Sequence, residues 1–201
     1  EVTGISLSKN QIEYCKRKAK ELNLDNQVTF ELKDFRDVKG KYDYVTSIGA
    51  WEHFLKRNYL TALRKIYEIM NNKGICVLHT IGSILTPQPN APFIQRYIFP
   101  DGEIPHESDM AKNIEKSGLI MSDRETLIRH YDKTLEAWLK RFLENKHIVK
   151  DLFDQKFVKM WEFYLASCSA AFKYRDLVVF QYQLVKNFDA IPSNRRDYIY
   201  S

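Results

Sequence analysis

Residues 2–11 read V-T-G-I-S-L-S-K-N-Q, and the change of pattern inside this stretch decides the fold class. Its first half has the composition of the end of a strand. Ser8 and Gln11 then form the S-x-x-Q pattern of a helix capping box, and Ile12 and Cys15 follow at helical spacing. A strand that leads directly into a helix is the repeating unit of α/β proteins, so this stretch predicts one such unit.

The same alternation continues beyond this helix. Short apolar runs at residues 28–32, 44–49 and 75–80 predict three further strands. A helical pattern at about residues 58–70 lies between the last two of them and ends near Gly74. Strands and helices in this order predict a doubly wound α/β fold.

The pattern changes after Gly82, where five prolines lie among aromatic residues. They are Pro87, Pro89, Pro92, Pro100 and Pro105. A long insertion in a compact α/β domain is more often a lid or a substrate wall than an idle loop. Helices follow at about residues 133–146 and 155–173, and residues 177–185 predict an antiparallel closing strand. Core packing explains the apolar side of the second helix. We expect one domain, with residues of about 83–175 as its lid region.

Composition limits the class of protein. With 201 residues, 44% of them hydrophobic, the chain can bury the core of one domain. No run approaches the roughly 20 apolar residues of a membrane-spanning helix, and the first residues lack a signal-peptide layout, so a cytoplasmic protein is expected. The net charge of +5 comes from scattered basic residues. It gives weak support to a nucleic-acid partner, so none is expected, and it is compatible with an anionic membrane surface.

Neither a disulfide framework nor a metal site is expected. Cys15, Cys76 and Cys168 form no C-x-x-C pair, which favours buried thiols in a reducing compartment. Glu52 and His79 lack the spacing of known zinc motifs. A buried glutamate with a nearby histidine can instead hold a small polar species.

Residues just after the predicted strands are the first candidates for a ligand site, because ligands of open α/β sheets bind beyond the carboxyl ends of the strands. These positions are S-L at 6–7, D-F at 34–35, G-A-W-E-H at 49–53 and H-T-I-G at 79–82. Asp34 can accept a hydrogen bond from the amine of an adenine while Phe35 stacks on its ring. An ordinary loop aspartate beside a core phenylalanine is the alternative, and the pair alone leaves both open.

Six stretches occur in an order that is familiar from one family. They are V-T-G-I-S-L-S-K-N-Q (2–11), S-I-G-A-W-E-H-F (47–54), L-H-T-I-G-S (78–83), Y-I-F-P-D-G-E-I-P (97–105), H-Y-D-K-T-L (130–135) and C-S-A-A-F-K-Y-R-D (168–176). Together they resemble the cyclopropane-fatty-acid synthases and the related mycolic-acid methyltransferases. The first stretch occurs in many methyltransferases, whereas the combination of E-H, L-H-T-I-G and Y-I-F-P-x-G-x-x-P is specific.

The resemblance implies a Rossmann-like class I methyltransferase that uses S-adenosylmethionine. In the family the methyl group goes to the double bond of an unsaturated phospholipid acyl chain, and proton loss closes a cyclopropane. The alkene is a poor nucleophile and must be held in a dry pocket, so the lid is expected to form the acyl pocket. Such an enzyme would be peripheral to the inner face of the membrane. A methyl-branched product and a homodimer stay open alternatives.

The resemblance also implies a bicarbonate ion that takes the proton. Carried over by motif, its cage consists of Glu52, His79, the backbone of Ile81, and Tyr131, which is expected on a loop before a helix. A carboxylate, an imidazole and a phenol supply the donors and acceptors that bicarbonate needs. Without the resemblance, a structural role as a hydrogen-bonded or packed residue is favoured for each of these side chains.

The cofactor residues implied in the same way lie at three strand ends. They are Ser6, Leu7 and Gln11 near the ribose, Asp34 and Phe35 near the adenine, and Gly49 and Ala50 along the methionine portion. Gln11 has two competing roles, because it is also the third residue of the capping box headed by Ser8.

Two family features have no counterpart in this sequence: the glycine-rich loop after the first strand and an N-terminal active-site cysteine. We therefore expect a sheet that lacks its first strand, a C-terminal portion of a longer polypeptide, and weak binding of S-adenosylmethionine by this portion alone. Two alternatives stay open. One is an N- or O-methyltransferase of small metabolites, whose acceptor needs no bicarbonate, and the other is a non-catalytic remnant.

Overall fold

The computed structural model describes residues 1–191, 193 and 195–200, and these contain six strands and six α-helices. The strands are β1 (Val2–Ser6), β2 (Val28–Leu32), β3 (Tyr42–Ile48), β4 (Met70–Ser83), β5 (Ile120–Leu127) and β6 (Leu177–Val185). The helices are α1 (Lys9–Glu21), α2 (Tyr59–Ile69), α3 (Pro92–Tyr97), α4 (Glu107–Ser117), α5 (His130–Leu152) and α6 (Gln155–Tyr174). None of the described helices combines the length and apolarity needed to cross a bilayer.

The strands form two hydrogen-bonded sheets. β1 and β2 pair in parallel, and the second sheet has the order β3-β4-β6-β5. β4 is parallel to β3, whereas β6 runs antiparallel to both β4 and β5. Across the described residues no ladder joins β1 to β3, and their edges expose Val2, Tyr44 and Ile48 by 61%, 75% and 72%. The gap lies where the sequence predicts the lacking first strand.

The predicted capping box at α1 forms only in part. Ser8 Oγ accepts a hydrogen bond from the Gln11 N–H at 3.4 Å, as predicted. The Gln11 side chain does not return to Ser8, whose N–H donates to Ser6 Oγ at 3.1 Å. Ser6 Oγ in turn donates to Gln11 Oε1 at 2.7 Å. The start of α1 is therefore fixed by a Ser6–Gln11 pair at the carboxyl end of β1.

Two apolar clusters cover the two faces of the larger sheet. Helices α2 and α4 pack on one face around Trp51, Tyr59 and Phe180, all at most 1% exposed. Helices α5 and α6 pack on the other face around Leu135 and Val179. Successive residues of a strand point to opposite faces, so β6 contributes Phe180 to the first cluster and Val179 to the second.

The lid region contains more regular structure than the sequence predicts. Helix α4 begins where His106 Nδ1 accepts from the Ser108 N–H at 3.2 Å and ends at Gly118, whose φ is +84°. Strand β5 pairs with β6, and the alternation of its sequence is weak because both of its faces are partly buried. Helix α4 and strand β5 were not predicted, because the prolines before them suggested an irregular segment. Strand β4 and helix α5 also extend beyond the predicted limits, and α5 starts at His130.

Candidate functional site

The chain turns sharply after β3 and brings Glu52 to β4. Gly49 has a φ of +61°, which favours glycine, and its N–H donates to the His79 carbonyl at 3.0 Å. A single 3-10 turn over Trp51–His53 follows. Glu52 Oε1 then accepts a hydrogen bond from the Ile81 N–H at 2.6 Å. Two positions that the sequence assigns to one site are therefore in direct contact.

The second carboxylate oxygen of Glu52 is buried and has no hydrogen-bond partner among the described residues. The indole nitrogen of Trp51, in the same turn, is in the same situation. An unsatisfied buried polar atom costs about 1–3 kcal/mol, and more when it is charged. Such atoms are explained when a small polar species binds beside them, and an acceptor oxygen requires a species with a donor.

His79 is held in one orientation by two side chains that the sequence analysis missed. Gln181, its register partner on β6, donates from Nε2 to Glu125 Oε2 at 3.0 Å. A carboxylate only accepts, so this contact fixes the amide and leaves Gln181 Oε1 facing His79 Nδ1 at 3.3 Å. This contact favours the tautomer in which His79 Nδ1 donates to Gln181 Oε1 and Nε2 is left to accept. Two glutamines, Gln181 and Gln183, in an otherwise apolar strand were the available signal.

Tyr131 lies in the first turn of α5, and the predicted loop position is wrong. Its ring stacks on Phe172 with centroids 5.1 Å apart and meets Trp138 edge-on at 6.3 Å. It packs against the second cluster, as does Ile81. Arg129, directly before the helix, adopts a left-handed conformation with a φ of +63°. Ile81 therefore links Glu52, through its N–H, to the cluster that holds Tyr131.

The Y-I-F-P-D-G-E-I-P stretch of the lid is anchored to the Glu52 turn by main-chain hydrogen bonds. The Glu103 N–H donates to the Glu52 carbonyl at 2.9 Å, and the Ser83 N–H donates to the Pro105 carbonyl at 3.0 Å. Gly82 permits this approach, because a Cβ there would lie 2.3 Å from the Phe180 ring and 3.1 Å from the Pro105 carbonyl. The stretch therefore covers one side of the site.

Aromatic and weakly polar side chains line the lid side. Phe99 lies edge-on to His53 at 6.0 Å and to Tyr164 at 6.3 Å. Burial raises the pKa of Tyr164 to about 12 and that of the Cys168 thiol to about 11. Both groups are therefore neutral at physiological pH. An uncharged, aromatic wall excludes water and suits an apolar ligand.

The residues predicted near the ribose lie together at the end of β1. Ser6 and Gln11 bond to each other, and Leu7 is 73% exposed. Ser6 and Gln11 also line a cleft of about 400 Å³ between β1 and α1. Their hydroxyl and amide can bind ribose hydroxyls once they exchange partners.

The predicted adenine pair is more fully engaged. Asp34 Oδ1 accepts from the Arg36 N–H at 2.9 Å and Nε at 2.8 Å, and Oδ2 accepts from Nη2 at 2.7 Å. The Arg36 side chain is the main cause that lowers the pKa of Asp34 to about 2. Phe35 lies 5.0 Å from Phe54. The Asp34 carboxylate can accept a further hydrogen bond, so the residues fit an adenine amine. Ala50 directly follows Gly49 and lies in the sequence between this pair and Glu52.

No cluster of three or more His, Cys, Asp or Glu side chains with metal-binding geometry occurs in the described part of the chain.

Comparison with known proteins shows the family. Residues 1–182 match the sequence profile of the family described as Mycolic acid cyclopropane synthetase. The chain belongs to this family. It is 33% identical over 180 residues to a Cyclopropane-fatty-acyl-phospholipid synthase of Escherichia coli. The alignment covers 90% of this chain and 46% of that protein. The chain thus spans about half the length of the curated relatives it matches.

Solved structures agree with this assignment. The cyclopropane synthase MmaA2 from Mycobacterium tuberculosis superposes with a TM-score of 0.84 at 25% identity, covering 92% of this chain and 69% of that one. The mycolic acid cyclopropane synthase CmaA1, complexed with SAH and CTAB, gives a TM-score of 0.83 at 25% identity with the same coverage. The predicted fold class, the Rossmann-like α/β fold of class I methyltransferases, is confirmed.

Proposed function

We propose that the protein transfers the methyl group of S-adenosylmethionine to the double bond of an unsaturated phospholipid acyl chain and forms a cyclopropane. The observation that carries this proposal is the environment of Glu52. One oxygen is fixed by the Ile81 N–H at 2.6 Å, and the other is buried without a partner. A carboxylate placed in this way, beside an aromatic wall, suits an apolar substrate and one small hydrogen-bond donor.

Four residues would form the cage for a bicarbonate ion. Glu52 Oε2 would accept its hydroxyl hydrogen, His79 Nε2 would accept or return a proton, and the Tyr131 hydroxyl would donate. The Ile81 N–H would act by holding Glu52 in place. When bound, S-adenosylmethionine supplies an electrophilic methyl group and bicarbonate supplies a proton acceptor. The side chains would orient the bicarbonate ion and keep it from acting as a competing nucleophile.

The cofactor would lie along the strand ends on the β1 side. Ser6, Leu7 and Gln11 would contact the ribose, and Asp34 and Phe35 would contact the adenine. Gly49 and Ala50 would line the methionine portion. Gly49 is exposed and has open space where a Cβ would lie, so a ligand could approach its backbone closely.

Residues 83–175 would form the lid and the acyl pocket. The Phe99 and Tyr164 rings would pack on the acyl chain, and the anchored 97–105 stretch would keep water from the reacting carbon. The protein would then work at the inner face of the membrane, as a peripheral protein.

The proposal is tested with a panel of acceptors offered to the full-length protein that carries this sequence. Label from methyl-labelled S-adenosylmethionine should enter vesicles of unsaturated phospholipid and should not enter vesicles with saturated chains. A parallel calorimetric titration of S-adenosylmethionine separates a failure to bind the cofactor from a failure to transfer. Transfer to a small amine or alcohol, with none to lipid, would favour an N- or O-methyltransferase. Absence of cofactor binding by the full-length protein would favour a non-catalytic remnant.

A further inference from the structure

The end of the α5–α6 hairpin exposes a group of apolar side chains. We define the hairpin tip as residues 140–159, where α5 ends and α6 begins. Leu152 is the last residue of α5 and Phe153 directly follows it in the connection to α6, and their side chains are 72% and 62% exposed. Ile148, one turn before Leu152, is 48% exposed. Isolated exposed apolar residues are common, but three at the end of one hairpin form a patch that water solvates poorly.

Positive charge surrounds this patch. The hairpin tip has six basic side chains, Lys140, Arg141, Lys146, Lys150, Lys156 and Lys159, and three acidic ones, Glu144, Asp151 and Asp154. Its net charge is therefore +3, compared with +5 for all 201 residues. Asp154 is engaged as the cap of α6, where it accepts from the Phe157 N–H at 2.6 Å. Over the described residues, none of the six basic side chains is in an ion pair.

An aromatic series connects the hairpin tip to the candidate site. Phe153 stacks on Phe157 at 4.3 Å, Phe157 stacks on Trp161 at 5.8 Å, and Trp161 contacts Tyr164 at 5.1 Å. Tyr164 contacts Phe99, which belongs to the lid stretch beside Glu52. The exposed patch is thus one end of a continuous apolar surface, and the other end lies at the site.

We propose that the hairpin tip docks on the surface of an anionic phospholipid bilayer. Leu152 and Phe153 would enter the boundary between head groups and acyl chains, and the lysines would contact the phosphates. Basic side chains beside exposed aliphatic and aromatic ones fit this surface, since each Lys or Arg gains from the negative potential of the leaflet. The inference rests on the proposed function, because the docked bilayer would supply the acyl chain, but binding to vesicles can be measured without any turnover.

The test is a flotation assay of the full-length protein with vesicles of phosphatidylglycerol and phosphatidylethanolamine, compared with vesicles of phosphatidylcholine alone. The double variant Leu152→Ser, Phe153→Ser should lower the partition coefficient on the anionic vesicles by about tenfold. The double variant Lys146→Glu, Lys150→Glu should lower it at least as much, and added salt should weaken binding of the parent. Phe188→Ser and Lys73→Glu are matched controls, because Phe188 is 75% exposed and both residues lie outside the tip.

The outcomes separate this surface from the proposed function. Tip variants that bind anionic vesicles like the parent, or a control that loses as much binding, would overturn the proposal. If the tip instead covers another part of the polypeptide or a second copy, the tip variants should be less stable or should change their sedimentation coefficient while vesicle binding stays constant. This outcome would also overturn the proposal. If the tip variants lose vesicle binding but the parent transfers no methyl group to lipid, the surface stands and the proposed function fails.

Discussion

Replacing Glu52 with glutamine separates a chemical role from a structural one. The amide keeps an oxygen that can accept from the Ile81 N–H, which now lies 2.6 Å from Oε1. The change affects Oε2, which is buried and without a partner, by replacing an acceptor with a donor and by removing the negative charge. The fold should therefore be retained, and only the contact to a bound species should be lost.

The size of the effect follows from that contact. A hydrogen bond to a charged group contributes about 1.5–3 kcal/mol, and each 1.36 kcal/mol corresponds to a factor of ten in rate. Turnover of Glu52→Gln should thus fall by roughly 10- to 150-fold. The free energy of unfolding should stay within about 1 kcal/mol of the parent or rise, because an unpaired buried charge has been removed. Affinity for S-adenosylmethionine should change little.

The assay measures turnover on unsaturated phospholipid vesicles, calorimetric affinity for S-adenosylmethionine, and thermal unfolding, all with the full-length protein. Glu115→Gln, at an exposed position of α4, is the matched control and should behave like the parent. Turnover within about threefold of the parent, which is only about 0.65 kcal/mol of barrier, would show that Glu52 is a structural residue. A collapse of stability would show this as well, since the Ile81 contact would then require the charge.

Three further substitutions and one thiol-labelling experiment test the rest of the site and the core that supports it. Tyr131→Phe keeps the ring packing and should lower turnover about tenfold to a hundredfold in carbonate-depleted buffer, with partial recovery on added bicarbonate; a normal rate in depleted buffer would remove the hydroxyl from the site. Gln181→Met should release the imidazole beside it and lower turnover about tenfold at unchanged cofactor affinity, and an unchanged pH–rate profile would argue against a positioning role. Gly82→Ala places a methyl group 2.3 Å from the Phe180 ring and should destabilise the protein by about 1–3 kcal/mol in denaturant unfolding. Cys76 is fully buried and burial raises its pKa to about 12, so its thiol should react with a disulfide reagent only on unfolding; rapid reaction of the native protein would contradict this environment.

The strands and helices with clear periodicity could be predicted from the sequence. Strands β2 and β6 have the predicted limits, and the antiparallel direction of β6 is confirmed. Helix α4 and strand β5 were missed, because prolines before them suggested an irregular lid and because β5 has polar residues on a partly buried face. Packing of α4 in the first apolar cluster and pairing of β5 with β6 stabilise these elements despite their weak sequence patterns.

Residues at the strand ends could be chosen as site candidates from the sequence. Contacts that depend on the pairing register of the strands could not be predicted. Glu52 follows β3, and Ile81 lies within β4. The sequence predicts that the two residues belong to one site, and in the structure they are in direct contact. The Gln181–Glu125 contact needs the exact pairing of β4, β6 and β5, which periodicity alone does not provide. The engagement of Asp34 by its neighbour Arg36 likewise depends on side-chain geometry that the sequence leaves open.

The most direct test of the central claim is mass spectrometry of acyl chains recovered from unsaturated phospholipid vesicles after incubation with the full-length protein and methyl-labelled S-adenosylmethionine. We predict acyl chains that gain the mass of one methylene group, carry label, and lack the original double bond. The same experiment with Glu52→Gln should yield at most about a tenth of that product. Acyl chains that stay unchanged while S-adenosylmethionine is bound, or label found only in a small polar acceptor, would exclude methyl transfer to phospholipid as the function.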